Sequence, residues 1–387
     1  MELVPHAYFD HNATSPVAPD VLRELVLDLG EVYGNASSIH YFGQAARQRL
    51  EAARRQVAAL LGCDAREIVF TSGGTEADNL AIFGTVRAAA GEPKHVITSR
   101  IEHPAVLNTC MQLEREGVAM TWLGVGRAGV VDPDDVRRAL RPQTVLVSVM
   151  HANNETGVVQ PVEEIAAIGR EAGVTVHTDA VQSTGRTTFN ARALGVDLLS
   201  LSGHKFGAPK GVGALYVRSG VTIAPLFHGG RHERERRAGT ENVPGALALG
   251  RAAALGPALW TSLAPLRDRL ERGVLARVPG TCVNGRGSAR LANTSNIWFE
   301  GVEGEAMVIS LDLRGFAVSS GSACSSGAVE PSHVLLAMGM TREDARSCVR
   351  FSLGPGNTAE EVDALVEAVA ESVAHLRRIS PQVVAHA

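Results

Sequence analysis

The chain has 387 residues, of which 45% are hydrophobic and 20% are charged, so it is long enough to bury a large core in one or two domains. Its 37 basic and 41 acidic residues leave a net charge of −4 without a basic block, which argues against nucleic acid as a partner. The sequence has no apolar run of membrane-spanning length and no start typical of a signal peptide, so we expect no membrane association and a cytoplasmic location. The five scattered cysteines lack Cys-x-x-Cys spacing, so we expect free thiols and no metal site.

A short strand near residues 8–10 opens the chain, and apolar runs then alternate with segments of helical periodicity. We predict strands at 67–72, 94–98, 119–123, 144–150, 175–179, 198–202 and 213–217. Helices are predicted at 20–29, 43–61, from a Gly-Gly-Thr turn to about 89, and at 105–116, 133–140 and 162–172. This alternation predicts a mostly parallel sheet with helices on both faces.

The last third of the chain begins with a long helical pattern over 245–278 that is broken near Pro257. Further along we predict a strand at 293–299, helices at 304–313 and 331–338, a strand at 347–353 and an amphipathic helix at 358–377. The broken pattern is a plausible domain connector.

Lys205 follows the strand predicted at 198–202, in the sequence Ser-Gly-His-Lys, and a glycine-rich stretch comes after it. At the end of a buried strand an amine can lose its charge by desolvation, and a neutral amine can form a Schiff base with a carbonyl. The chemistry of pyridoxal phosphate needs such a lysine together with a carboxylate for the pyridinium nitrogen, and Asp179 ends another apolar run. The alternative is an ordinary surface lysine.

Several polar residues share the position of Lys205, at or just after the carboxyl end of a predicted strand. They are His103, Asn154, Asp179, Gln182, Ser202 and His204. Ligands of parallel sheets bind beyond these strand ends, so we predict one site there. Gly74 and Thr75, which lead from a strand into a helix, resemble a phosphate cradle, although an ordinary helix cap at Thr75 is an equal alternative.

Two charged features have both a functional and a structural interpretation. The loop 231–242 is either a solvated linker or an anion-binding or subunit-contact loop with Thr240 as a phosphate donor. Arg350 lies inside a predicted strand and needs a partner, which is either a substrate carboxylate or a buried ion pair.

Cys324 lies in the loop Ser-Ser-Gly-Ser-Ala-Cys-Ser-Ser-Gly, where no neighbour is bulky. We therefore expect an exposed, mobile thiol, which suits a nucleophile because the thiolate is the reactive form. The other four cysteines lie in apolar or periodic settings and are predicted to be structural.

Taken in order, these motifs resemble the pyridoxal phosphate-dependent cysteine desulfurases of the NifS/IscS type, in the class V aminotransferase group. The resemblance covers nearly the whole chain, from Tyr-Phe-Asp at residue 8 to Arg-Phe-Ser-Leu-Gly at residue 350. It implies an α/β fold of the fold type I transferases, with a mostly parallel seven-stranded sheet in a large domain at 15–255. Residues 1–14 and 256–387 would form a smaller α+β domain that carries the cysteine loop.

The resemblance also implies a role for each site residue. Lys205 would form the Schiff base, Asp179 would pair with the pyridinium nitrogen, Gln182 would contact the ring hydroxyl, and His103 would stack on the ring. Asn154 would lie near the hydroxyl or substrate, Arg350 would hold the substrate carboxylate, and Cys324 would accept sulfur. The phosphate would be bound by Gly74, Thr75, Ser202 and His204, and Thr240 would reach it from the other subunit of a homodimer. His103 would also take part in proton transfer.

The implied reaction converts L-cysteine to L-alanine and leaves a persulfide on Cys324 for a sulfur-acceptor protein, in iron–sulfur cluster assembly or another thiolation. Three alternatives stay open: a selenocysteine lyase, another class V enzyme such as an aminotransferase or a C–S lyase without an enzyme cysteine, and a non-enzymatic sulfur carrier.

Overall fold

The computed structural model describes residues 6–320 and 330–379. The strands, numbered in chain order, are β1 Ala7–Tyr8, β2 Ile68–Thr71, β3 His95–Ser99, β4 Ala119–Leu123, β5 Thr144–Ser148, β6 Thr175–Asp179, β7 Leu198–Ser202, β8 Gly213–Val217, β9 Thr281–Val283, β10 Thr294–Phe299, β11 Phe316–Ala317 and β12 Cys348–Ser352. The helices are α1 Pro19–Glu31, α2 Tyr41–Leu61, α3 Gly74–Ala88, α4 Pro104–Arg115, α5 Pro133–Ala139, α6 Val162–Ala172, α7 Ala191–Leu194, α8 Val243–Leu255, α9 Ala258–Thr261, α10 Ala264–Arg277, α11 Gly304–Asp312, α12 His333–Ala337, α13 Arg342–Arg346 and α14 Ala359–Ile379.

Within the described residues, seven strands form one sheet in the order β2-β8-β7-β6-β5-β3-β4. Strand β8 is antiparallel to β2 and β7, and the remaining neighbours are parallel. Successive side chains of a strand point to opposite faces. Ile97 packs with α2, α6 and α8 on one face, and its neighbour Val96 packs with α3 and α4 on the other. Both faces are covered, which explains the continuous apolar runs and confirms the predicted mostly parallel sheet.

A second core lies under the C-terminal part of the chain. Strands β12, β10 and β9 form an antiparallel sheet, and their buried side chains pack against α10, α11 and α14. Phe9 belongs to this core, and the adjacent β1 pairs in parallel with β11. The N-terminal segment is therefore anchored beside the C-terminal strands, and from there residues 10–15 run toward the end of β7, where the Ser15 amide donates to the His204 carbonyl oxygen at 2.8 Å.

The cysteines outside the loop differ in exposure. Cys110 and Cys348 are buried in the cores, as expected for structural residues. Cys282 is exposed because β9 is an edge strand, so the structural role predicted for it does not fit its environment. In the part of the chain that the structure describes, no helix combines the length and apolarity needed to span a membrane.

Candidate active site

A cavity of about 300 Å³ lies at the carboxyl edge of the large sheet. Its walls include nine of the residues predicted for the site: Gly74, Thr75, His103, Asn154, Asp179, Gln182, Ser202, His204 and Lys205. Residues far apart in sequence meet here because the parallel strands that carry them end at the same edge.

Lys205 ends a short 3₁₀ turn, Gly203–Lys205, directly after β7. Its Nζ donates to the main-chain carbonyl oxygens of Asn12 at 2.6 Å and Ala13 at 2.9 Å. Burial, and then the positive charges of Arg186 and Arg350, lower the pKa of this amine to about 7. A large fraction of the amine is therefore uncharged at neutral pH and can act as a nucleophile or a base.

Asp179 is the last residue of β6, and its Oδ1 accepts a hydrogen bond from the Val181 amide at 2.9 Å. Burial raises the pKa of this carboxyl, and the nearby His103 and Lys205 oppose that rise. A buried carboxylate is stable only beside a cationic or hydrogen-bonding partner, so Asp179 is suited to hold a protonated ring nitrogen of a ligand.

His103 is placed by the start of α4. It is the N-cap residue, Pro104 occupies the first helical position, and the His103 Nδ1 accepts from the Ala105 amide at 3.1 Å. Burial lowers the pKa of the imidazole, so a neutral ring faces the cavity. Such a ring can stack on a planar ligand and can exchange a proton.

The cavity wall also offers groups that bind anions. Gly74 and Thr75 begin the 15-residue helix α3, whose first amides lack helical partners. Ser202 adds a hydroxyl, and His204 bonds through Nδ1 to the Thr14 hydroxyl at 3.1 Å. Burial lowers the pKa of His204 to about 4, so at neutral pH it acts as a neutral hydrogen-bonding group.

Arg350 on β12 is buried next to this cavity. Its Nη2 lies 2.7 Å from Asp10 Oδ1, and its Nη1 donates to the Asn154 carbonyl oxygen at 3.1 Å. The Arg350 Nε has no hydrogen-bond partner among the described residues. Of the two partners considered for Arg350, the structure therefore contains the ion pair, with Asp10.

Thr240 does not line the main cavity of its own chain. It lines a neighbouring cavity with Thr71, Ser72 and Gly211. The loop that carries it is held to the core, since Glu233 accepts hydrogen bonds from Arg54 at 2.6 and 2.8 Å. The loop is therefore anchored at Glu233, while Arg234, Glu235 and Thr240 are exposed. Cys324, the predicted nucleophile, lies outside the described residues.

The sequence interpretation missed four residues around the site. Asp10 and Asn12 lie in the N-terminal segment, Asp78 lines the cavity from α3, and Arg186 lies behind Lys205. Asp78 could have been noticed as a charge within an apolar helix, and Arg186 as a charge four residues after Gln182. Their partners, however, are remote in sequence.

Comparison with known proteins places the chain in a family. The family described as Aminotransferase class-V matches residues 7–365, so the chain belongs to this family. It is 48% identical over 378 residues to the cysteine desulfurase IscS of Methanosarcina thermophila, an alignment that covers 97% of this chain and 93% of that relative.

Solved structures agree with this assignment. A NifS-like protein matches with a TM-score of 0.89 and 37% identity, covering 96% of this chain and 100% of that one. A structure described as SspA in complex with cysteine matches with a TM-score of 0.82 and 36% identity, covering 91% and 99% of the two chains. The predicted family and the predicted fold of the fold type I transferases are thereby confirmed.

Members of this family are enzymes that depend on pyridoxal phosphate, so the predicted cofactor is confirmed. The chemistry of the cavity fits it. An amine with a lowered pKa, a buried carboxyl and a helix N-terminus with hydroxyl groups are the groups that an aldehyde, a pyridine nitrogen and a phosphate each require. The cavity volume also lies near the lower end of the roughly 300–1,000 Å³ typical of small-molecule sites.

Proposed function

We propose that this chain is a cysteine desulfurase, which converts L-cysteine to L-alanine and retains the sulfur as a persulfide on Cys324. The observation that carries the proposal is the meeting, at one cavity, of the Lys205 amine with the Asp179 carboxyl, close to the arginine Arg350. The names of the relatives support the same reaction: one is called a cysteine desulfurase, and one similar structure is described as a complex with cysteine.

When bound, pyridoxal phosphate supplies a covalent attachment for amines and an electron sink for negative charge on the substrate. We assign its phosphate to Gly74, Thr75, Ser202 and His204, its ring nitrogen to Asp179, and its ring hydroxyl to Gln182 and Asn154. The His103 imidazole would pack against the ring. Together these side chains would hold the group in place and exclude water from one face of it.

The protein residues then act on the amino acid. Arg350 binds the substrate carboxylate, and Asn154 contacts the substrate. Lys205, whose pKa is about 7, removes the proton from Cα and returns a proton later, with His103 as the second proton carrier. The Cys324 thiolate attacks the substrate sulfur, the carbon–sulfur bond breaks with its electron pair on carbon, and protonation of that carbon gives alanine.

Several finer features belong to the same proposal. Residues 15–255 form a large cofactor domain, and residues 1–14 with 256–387 form a small domain that carries Cys324. The protein acts as a homodimer in which Thr240 completes the phosphate site of the partner subunit. Exposed apolar side chains at Tyr33 and Ile39, between α1 and α2, and at Tyr41, the first residue of α2, favour such an association. The persulfide passes to a sulfur-acceptor protein of the cytoplasm, such as an iron–sulfur scaffold.

The test is incubation of the purified protein with pyridoxal phosphate and L-cysteine, followed by measurement of alanine and of the mass of the Cys324 peptide. We expect alanine, and the added mass of one sulfur atom on that peptide. Cys324→Ser should keep the yellow colour of the bound cofactor and lose sulfur release. Cys282→Ser is the matched control, because it removes an exposed thiol on β9 and should change neither product. Full activity of Cys324→Ser, or sulfur carried by Cys282, would refute the assignment.

A further inference from the structure

Arg186 is an almost completely buried arginine behind the candidate active site, with a side chain that is 2% exposed. All five of its N–H groups have acceptors. Nε donates to the Lys205 carbonyl oxygen at 2.9 Å, Nη1 to Asn12 Oδ1 at 2.7 Å and Gln182 Oε1 at 2.9 Å, and Nη2 to the carbonyl oxygens of His11 and Lys205, each at 2.6 Å. None of these acceptors is a carboxylate, so the hydrogen bonds are satisfied while the charge is not neutralised.

Burial of a cation without a counterion is costly, and the protein retains it nevertheless. The pKa of Arg186 is lowered to about 9, first by burial and then by Arg350, so the guanidinium is still charged at neutral pH. The Arg186 guanidinium carbon lies 4.4 Å from the ring centre of Trp260, which adds a cation–π contact. A site that stabilises a lone positive charge in the core suggests that this charge has a role.

The contacts of Arg186 lead to two of the residues assigned to the cofactor. Two of its N–H groups grip the main-chain carbonyl of Lys205, which fixes the base of that side chain. A third binds Gln182 Oε1, so the Gln182 Nε2 must point the other way, where it donates to the Asn12 carbonyl at 3.0 Å. The Lys205 Nζ donates to the same carbonyl at 2.6 Å. The orientation of both side chains thus depends on Arg186.

The charges that surround the Lys205 amine come from several elements. Arg186 and Arg350 disfavour its protonation, and Asp179 and Asp10 favour it. Asp10 is already paired with Arg350, which leaves Arg186 as the cation without a counterion. His103 and His204 also lie near the amine, and burial favours the neutral form of both.

We propose that Arg186 is a positioning residue for Lys205: it fixes the Lys205 main chain and the Gln182 amide, and its unneutralised charge keeps a second positive charge off the Lys205 amine. The proposal deepens the function given above and rests on it only in taking Lys205 as the amine that bonds the cofactor.

Two readouts on the full-length protein test this. The first is the pH titration of the visible absorption band of the loaded enzyme. The second is the pH dependence of Lys205 acetylation by acetic anhydride after removal of the cofactor, quantified by peptide mass spectrometry. In both readouts we expect Arg186→Met to raise the titration midpoint of the Lys205 nitrogen by about one pH unit or more. In the cofactor-free protein this shift slows acetylation of Lys205 near pH 6 about tenfold.

The matched control is Arg290→Met, which removes a largely buried arginine that is paired with Glu271 at 2.7 Å. It should leave the Lys205 titration unchanged. The proposal is overturned if Arg186→Met lowers the melting temperature but leaves the titration midpoint of Lys205 unchanged. If Arg186→Met does not fold, Arg186→Gln is measured by the same criteria. A wild type with a low acetylation midpoint but no visible band would refute the cofactor role of Lys205 and leave that of Arg186 standing.

Discussion

The ion pair between Asp10 and Arg350 provides a sharp test of the site. The two residues are 340 positions apart in sequence, and their side chains are 19% and 7% exposed. Replacing Asp10 by asparagine removes the counterion while it keeps the size of the side chain and one hydrogen-bond acceptor. Arg350 would then be a buried cation held by the Asn154 carbonyl and a neutral amide.

The cost can be worked out from this geometry. Removing one partner of a fully buried pair costs about 3–5 kcal/mol, and the partial exposure of Asp10 and the remaining amide bring the expected cost to about 2–3 kcal/mol. The entropy of unfolding is roughly 2.1 cal/mol/K per residue, which over 387 residues is about 0.8 kcal/mol per kelvin. We therefore expect Asp10→Asn to lower the melting temperature by about 2.5–4 °C.

The assay is thermal unfolding of the loaded enzyme with and without saturating L-alanine, the expected product. The alanine carboxylate can serve as the counterion that the variant lacks, so alanine should raise the melting temperature of Asp10→Asn more than that of the wild type. Asp363→Asn is the matched control, because its pair with Arg269 is exposed on both sides and should contribute little to the melting temperature. The reasoning is refuted if Asp10→Asn has the melting temperature of the wild type, or if alanine does not reduce the difference in melting temperature between the variant and the wild type.

Three further predictions concern charge in the core. Asp179→Ala should still bind pyridoxal phosphate but should lower kcat about 100-fold or more, because the ring nitrogen loses its ionic partner; normal turnover would exclude that role. The rate at which the cofactor-free protein binds pyridoxal phosphate should increase as pH rises from 6 to 8 and then level off. Lys205 reacts as the neutral amine, and its pKa is about 7. A rate that still increases steeply above pH 9 would contradict this. Burial lowers the pKa of His177 to about 3, whereas the pKa of a histidine in the unfolded chain is about 6.5. Between these two pH values the unfolded chain binds a proton at His177 that the folded chain does not bind. The free energy of unfolding therefore decreases as pH falls from about 6.5 toward 3. His177→Gln should reduce this acid loss by up to about 1.4 kcal/mol per pH unit, measured by unfolding at several pH values.

Much of the fold and of the candidate site was predictable, for a local reason. Apolar runs of five residues bounded by turns mark buried strands, and the polar residues that follow them, such as Asp179 and Lys205, must lie at the carboxyl edge of a parallel sheet. The role of Thr240 was harder to judge, because a threonine in a charged loop carries no signal of which cavity it faces. In the structure it lines a cavity next to the main one.

What the sequence determined by itself was the order of the elements, the family motifs and the identity of the residues at the strand ends, since each depends on a pattern within a few neighbouring positions. Only the tertiary structure decided the partner of Arg350, the place of Arg186 behind Lys205 and the lowered pKa of that amine. Burial and electrostatic coupling depend on groups that the chain brings together from hundreds of residues apart, and no local pattern specifies those distances.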